Sequence, residues 1–354
     1  MPTSVAIIGA SGSVGSVLAA HILRSQVLEA SDRLQLVGHG ASRSEKMLLA
    51  ERVDLLDAFD DGRIEVEMVP NIADVDADIV IMAAGVGFSP QCTNRREMGV
   101  INRELFEQVA GKCARHASDA LVIVVSNPVE LAVRIFAERL DRKHVLGMGA
   151  QQDSLRFARA IAKDLDASRH EVRASVLGEH GQAMVPLWTS VEILAPNHRL
   201  QDSFEQLRKR SLEMPLQERV VALRSEVAEY LKADRVPEAY EAARRALPDA
   251  RVFIEPFITA TCMHSTPNAT ANATLQCLAA TLAGDGRRIH GQVLLEGEVL
   301  DLYGVCGIPI SVSRNGWRRE PIDGLTSAEA EAIVSAADSI NEFAAEVLGS
   351  TAAN

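Results

Sequence analysis

Hydrophobic positions between residues 5 and 145 follow two alternating patterns. Near-continuous apolar runs at Val5–Ile8, Leu34–Val37, Ile64–Met68, Ile79–Ala83 and Leu121–Val125 predict strands buried on both faces, as a parallel sheet requires. Stretches around Val14–Arg24, Glu45–Asp57, Asn102–Ala117 and Glu130–Leu140 predict helices between them. This alternation is the sequence form of an α/β, doubly wound parallel sheet. From Gln151 the pattern changes. A helix is predicted over Ser154–Leu165, a strand over Val172–Leu177 and a loop over Gly178–Gln182. Residues 199–250 are charge-rich and predicted helical, strand-like segments return at Gly291–Leu295 and Ile308–Val312, and Ser327–Val347 reads as a closing amphipathic helix. The expectation is two domains, 1–150 and 151–354, the second of α+β type. No flexible linker separates them, so they should pack across a shared cleft.

The turn after the first strand carries the first chemistry. Gly9, Gly12 and Gly15, with Ser11, Ser13 and Val14 between them, fall between a strand and a helix. The first glycine permits a tight turn, the second admits a pyrophosphate to backbone N–H groups, and the third lets helix and strand pack closely. In this context the triad predicts a Rossmann-type dinucleotide site rather than a structural turn. An acidic residue normally follows the second strand to bind the ribose 2′-OH of NAD. Here the segment holds Gly38 and His39, then Ser42, Arg43 and Ser44. A 2′-phosphate would meet no repulsion there and could be held by Arg43 with a serine. The expected cofactor is NADP or NAD, with NADP favoured.

Composition narrows the partners. A chain of 354 residues with net charge −12 is long enough for two cores and lacks the basic surface that nucleic acid or a membrane would select. The five cysteines, Cys92, Cys113, Cys262, Cys277 and Cys306, are scattered and form no CxxC pair, so neither a metal nor a disulfide scaffold is expected. Without a signal-like N-terminus or a long apolar run, the expected location is the cytoplasm.

The second half supplies acid–base candidates. Asp153 and Arg156 are three apart on a predicted helix, hence on one face, and the planar fork of Arg156 suits a carboxylate. His180 lies between Glu179 and Gly181, and histidine titrates near neutrality, as a reversible proton carrier must. Asp153 could orient it. Asn127 ends a strand at the carboxyl edge, where such sheets bind ligands. Singly, each has a plain alternative in a surface ion pair, a turn histidine or an Asn-Pro turn. Their order along the chain makes the set specific.

With these residues in place the chain resembles the lactate/malate dehydrogenase family, especially members that accept NADPH. The shared segments are Ile7-Ile8-Gly9 through Gly15, Ala84-Gly85, Arg95-Arg96-Glu97-Met98 leading to Asn102, Ser126-Asn127-Pro128-Val129, Asp153–Phe157, Gly178–Gly181, Gly307–Ile310 and Arg314-Asn315-Gly316. The resemblance implies hydride transfer between NAD(P) and a small 2-hydroxy/2-oxo acid. It implies His180 as proton donor and acceptor, Asp153 as its orienting carboxylate and Arg156 as the substrate-carboxylate anchor. Arg95, on a mobile loop after the fourth strand, would polarise the carbonyl. Asn127 and Thr266 would line the substrate pocket, and Ala84, Gly85, Asn102 and Asn127 the cofactor site. It further implies a homo-oligomer, a dimer or tetramer.

The sequence departs from that family in the loop between Gly85 and Arg95, which is one residue longer than the common form. The specificity position, an arginine in malate enzymes, falls on Phe88 or Ser89. A neutral pocket that disfavours oxaloacetate is therefore expected. The alternative is a malate dehydrogenase whose second carboxylate meets an arginine from elsewhere. Gln182 replaces a usual acidic residue, and 199–260 aligns poorly. Remoter readings are an NAD-dependent glycosidase, which would need a Cys/His metal site, and a catalytically silent nucleotide-binding protein, which would not need Arg95, Asp153, Arg156 and His180 together.

Overall fold

The computed structural model describes residues 2–38, 42–59, 62–87, 92, 94–194, 198–263 and 265–349, apart from the side chains of 42–44. In the first half β1 (Ser4–Ile8), β2 (Arg33–Val37), β3 (Glu65–Val69), β4 (Ile79–Met82), β5 (Leu121–Val124) and β6 (Val145–Gly147) form a parallel sheet in the order β3-β2-β1-β4-β5-β6. Strands β1, β4 and β5 are buried along their whole length. Helices α1 (Ser13–Ser25), α2 (Ser42–Phe59), α3 (Arg95–His116) and α4 (Val129–Ala137) supply the crossovers. Two apolar clusters divide alternate strand residues between the faces: Val5 and Ile7 join one, Ala6 and Ile8 the other. Covering both faces is what lets the strands be uninterrupted apolar runs.

The sheet does not stop at residue 150. Strand β6 pairs antiparallel with β9 (Ile289–Glu296) through Gly147 and Gln292. Beyond it lie β10 (Tyr303–Ser313), β7 (Val172–Gly178) and β8 (Met184–Ile193), with β11 (Gly316–Arg319) against β10. Glycines make both narrow joints possible. A Cβ on Gly147 would come within 2.6 Å of Val129, and one on Gly307 within 2.7 Å of the Gly178 carbonyl.

Several boundaries differ from the sequence expectation. Helix α3 starts at Arg95, not near Asn102, because the Asn94 side chain accepts the Glu97 N–H at 2.9 Å and caps it. Helix α5 (Gly149–Asp164) also starts earlier, since the Gln292 side chain accepts the Ala150 N–H at 3.1 Å. Both capping partners act at positions where apolar periodicity is silent. The charge-rich segment becomes α6 (His198–Ser211), α7 (Leu216–Lys232) and α8 (Val236–Arg245), followed by α9 (Pro248–Met263) and α10 (Pro267–Ala283), which periodicity did not separate. The closing helix is α11 (Ser327–Gly349).

A third apolar cluster, including Phe157, Trp188 and Phe204, holds α6–α9 against α5. Buried Asp249 fixes this layer. It accepts both arms of the Arg219 guanidinium at 2.7 Å and the Trp188 indole N–H at 3.1 Å.

Candidate active site

The carboxyl ends of β1, β4 and β5 face the start of α5 and the end of β7 across a cleft of about 640 Å³. Gly12, Ser13 and Gly85 line one end, and Arg156, His180 and Thr266 the other.

The glycine end is shaped by close backbone approach. Gly9 takes φ +87°, where a Cβ would lie 2.7 Å from Ala84, and a Cβ on Gly15 would lie 2.2 Å from the Gly9 carbonyl. Gly12 and Ser13 are exposed, with Ser11 and Val14 half-buried beside them. The first turn of α1 has neither a side-chain cap nor an acidic residue, so its N–H groups remain available to an anion. This cradle fits the pyrophosphate of a dinucleotide. Gly38 is buried and donates to the Val69 carbonyl at 2.9 Å. His39 and the side chains of Ser42, Arg43 and Ser44 lie outside the described residues.

Asn102 is buried rather than open to the cleft. It accepts the Val86 N–H at 2.7 Å and donates to the carbonyls of Val86 and Asn127 at 2.9 and 2.8 Å. Its amide ties the end of β4 to the end of β5 and thereby sets Asn127, whose side chain is exposed at the cleft.

At the other end, Asp153 joins two functional candidates. One carboxylate oxygen lies 2.7 Å from His180 Nδ1, and the other accepts from Arg156 Nη1 at 3.0 Å. Burial pushes the Asp153 carboxyl up, but His180 and Arg156 outweigh it and hold it below the usual range. Burial draws the Arg156 guanidinium down, against the pull of Asp153. Arg156 Nη2 and Gln152 Nε2 both donate to Thr266 Oγ1 at 3.1 Å, fixing the fork from its far side. The His180 ring packs on the backbone of Gly149, where a Cβ would fall 2.5 Å from the imidazole.

Arg95 differs from the sequence expectation. It is the first residue of α3 rather than a loop residue, and its guanidinium already has partners. It pairs with Glu130, with Glu179 at 3.1 Å and with the His180 carbonyl at 2.8 Å, above the Phe343 ring. Glu130 is fully buried and also accepts the His180 N–H at 2.7 Å. Burial pushes the Glu179 carboxyl up, with Arg95 opposing and Glu130 adding to it. Arg96 turns outward to Glu346 at 2.7 Å. Phe88 and Ser89 lie outside the described residues.

Sequence reasoning thus missed Glu130, Glu179, Gln152 and Gly149. Glu130 follows Asn127-Pro128-Val129, and its acidic side chain among the apolar residues that open the helix was the available signal.

Residues 3–147 match the model of the lactate/malate dehydrogenase NAD-binding domain. The chain is 34% identical over 196 residues to the L-2-hydroxycarboxylate dehydrogenase (NAD(P)(+)) of Methanocaldococcus jannaschii, a match spanning 53% of this chain and 60% of that one. The chain thus covers only about three fifths of the length of such curated relatives. A malate dehydrogenase of Chlorobium phaeobacteroides is 25% identical over 96% of both chains. Among solved structures, a Cryptosporidium parvum lactate dehydrogenase complexed with lactic acid and nicotinamide adenine dinucleotide superimposes with a TM-score of 0.77, at 20% identity and 99% coverage of both.

Proposed function

We propose that this chain, whose residues 3–147 match the lactate/malate dehydrogenase NAD-binding domain and which aligns with a malate dehydrogenase over 96% of both chains, is a nicotinamide-dependent oxidoreductase interconverting a small 2-hydroxy acid and its 2-oxo acid. The observation that carries this reading is the double contact of Asp153 with His180 and Arg156. One buried carboxylate fixes a proton carrier and a carboxylate anchor side by side, in the cleft that holds the glycine cradle.

Nδ1 of His180 gives its proton to the Asp153 bond, so Nε2 is the nitrogen left for substrate. In the oxidative direction Nε2 takes the hydroxyl proton, and Asp153 stabilises the imidazolium so formed. Arg156 holds the substrate carboxylate with its planar fork, while Asn127 and Thr266 bound the pocket. The bound dinucleotide supplies the hydride acceptor or donor. Gly12, Ser13 and Val14 would hold its pyrophosphate, with Ser11, Ala84 and Gly85 beside them. Arg95 is the carbonyl-polarising group in this reading. Glu130 and Glu179 neutralise it at rest, so it must exchange these partners for the substrate carbonyl to act.

The cofactor reading is NADPH in preference to NADH, because a strand end at Gly38 without an acidic neighbour does not repel a 2′-phosphate. The expected assembly is a homo-oligomer, a dimer or tetramer. Apolar side chains exposed on α2 (Met47, Leu49, Val53) and α3 (Val100, Ile101) support it. Among the described residues no helix is long and apolar enough to cross a membrane, and the proposed setting is the cytoplasm.

The test is a panel of 2-oxo acids assayed with NADH and NADPH, beside direct cofactor titration. Turnover of at least one 2-oxo acid is expected. Cofactor binding without turnover across the panel would leave a nucleotide-binding protein and overturn the reaction.

A further inference from the structure

The loop between β4 and α3 offers no arginine at Phe88 or Ser89, and Arg96 turns away to Glu346. By that route the cleft would lack a cation for any second anionic group on the substrate. Another element provides one. Arg95, Arg156 and Arg224 are the arginines that line the cleft among the described residues. Arg95 is paired with Glu130 and Glu179, and Arg156 with Asp153. Arg224 has no carboxylate partner among the described residues; its guanidinium lies over the Phe257 ring, 5.1 Å from the centroid.

Its position is built rather than incidental. Helix α7 buries Val220, Leu223 and Val227, and Arg224, the residue after Leu223, is exposed beside this buried stripe. The Arg219–Asp249 pair locks the start of α7 to the start of α9. Helix α9 then presents Phe253, Phe257, Ala260 and Thr261 along the cleft wall beneath Arg224. The ring face leaves the guanidinium edge, with its fork of donors, free for a planar anion.

We propose that Arg224 is the specificity-determining residue at the far end of the pocket, and that the substrate is a 2-oxo/2-hydroxy acid bearing a second carboxylate. This rests on the reaction proposed above. Arg156 takes the carboxylate beside the reacting carbon, Arg224 takes the distal one, and the α9 wall covers the carbons between. The cation that the loop lacks comes from the opposite side of the cleft, so a diacid is favoured after all.

The experiment compares wild type, Arg224→Gln and Arg224→Lys on 2-oxo diacids of increasing chain length and on monoacids of matched length. A charged hydrogen-bond pair predicts a roughly 10- to 100-fold loss of diacid kcat/KM in Arg224→Gln, mostly in KM. Monoacid kinetics should change little, and Arg224→Lys should recover part of the loss. Equal losses on both classes, or none, would overturn the assignment. A readout without turnover separates it from the reaction itself: calorimetric binding of a 2-oxo diacid and monoacid to protein saturated with oxidised cofactor. Diacid preference lost in Arg224→Gln supports the inference even if no acid is reduced. Unchanged binding sinks it even if the enzyme is active.

Discussion

Asp153 faces a histidine on one side and an arginine on the other, so a change at either neighbour reaches both. His180→Asn should remove turnover while leaving cofactor titration nearly unchanged. General acid–base catalysis is worth about 10²–10⁴-fold, and a variant within a few-fold of wild-type kcat would place the proton carrier elsewhere. Arg156→Lys should raise KM and lower kcat together, because a point charge on a flexible stem replaces a fork already set by Asp153 and Thr266. Gly149→Ala tests a residue outside the chemistry. Its Cβ would fall 2.5 Å from the His180 ring, so the imidazole must move, and kcat should fall even where the fold survives. Normal kcat in a folded Gly149→Ala protein would show that the ring has room to spare. The cluster of Asp153, His180 and Arg156 was legible in sequence because each is a distinctive residue type at a fixed spacing. Glu130 and Gly149 were not, since their work depends on what packs against them.

Among the elements, the first five strands were legible from their apolar runs, most plainly β1, β4 and β5, which are buried on both faces, whereas the three-residue β6 was too short to register. Helix starts were less so: α3 and α5 begin where Asn94 and Gln292 satisfy backbone N–H groups, which hydrophobic periodicity does not register. The early start of α3 matters to function. It removes Arg95 from the loop and sets it against Glu130 and Glu179. Glu130→Gln should therefore free Arg95 in part and also weaken the hold on the His180 N–H. The expected signature is a changed kcat and pH profile with little change in cofactor affinity. An unaltered pH profile would make Glu130 a purely structural residue. At the end of β2, Gly38→Asp should shift preference from NADPH toward NADH, read as the ratio of the two kcat/KM values. A wild type that already prefers NADH strongly would defeat the 2′-phosphate argument alone.

For the whole molecule, one buried histidine couples stability to pH. His290, on β9, is wedged between Ser175 at 2.9 Å and Gln151 at 3.3 Å. Burial, with Arg288 adding to it, pushes its pKa from 6.5 down to about 3. Between those values the unfolded chain takes up a proton that the folded protein refuses. Stability should therefore fall as pH drops from 6.5 toward 3, by up to about 1.4 kcal/mol per pH unit from this group. Urea titrations across that range should show the slope, and His290→Gln should flatten it. An unchanged slope in the variant would assign the acid sensitivity to other groups.

The joint between β6 and β9 has a further consequence, for the order in which a newly made chain acquires its parts. Gly147 pairs with Gln292, whose side chain also holds the Ala150 N–H at the start of α5. Almost the whole second half must emerge from the ribosome before that contact closes, so it belongs to the slow, non-local class of folding events. The nucleotide cradle, built from neighbouring strands near the amino terminus, can take shape while synthesis continues. Asp153 on α5 waits for β9, one of the last strands to be made, so the glycine cradle takes shape well before the Asp153–His180 pair is fixed in place.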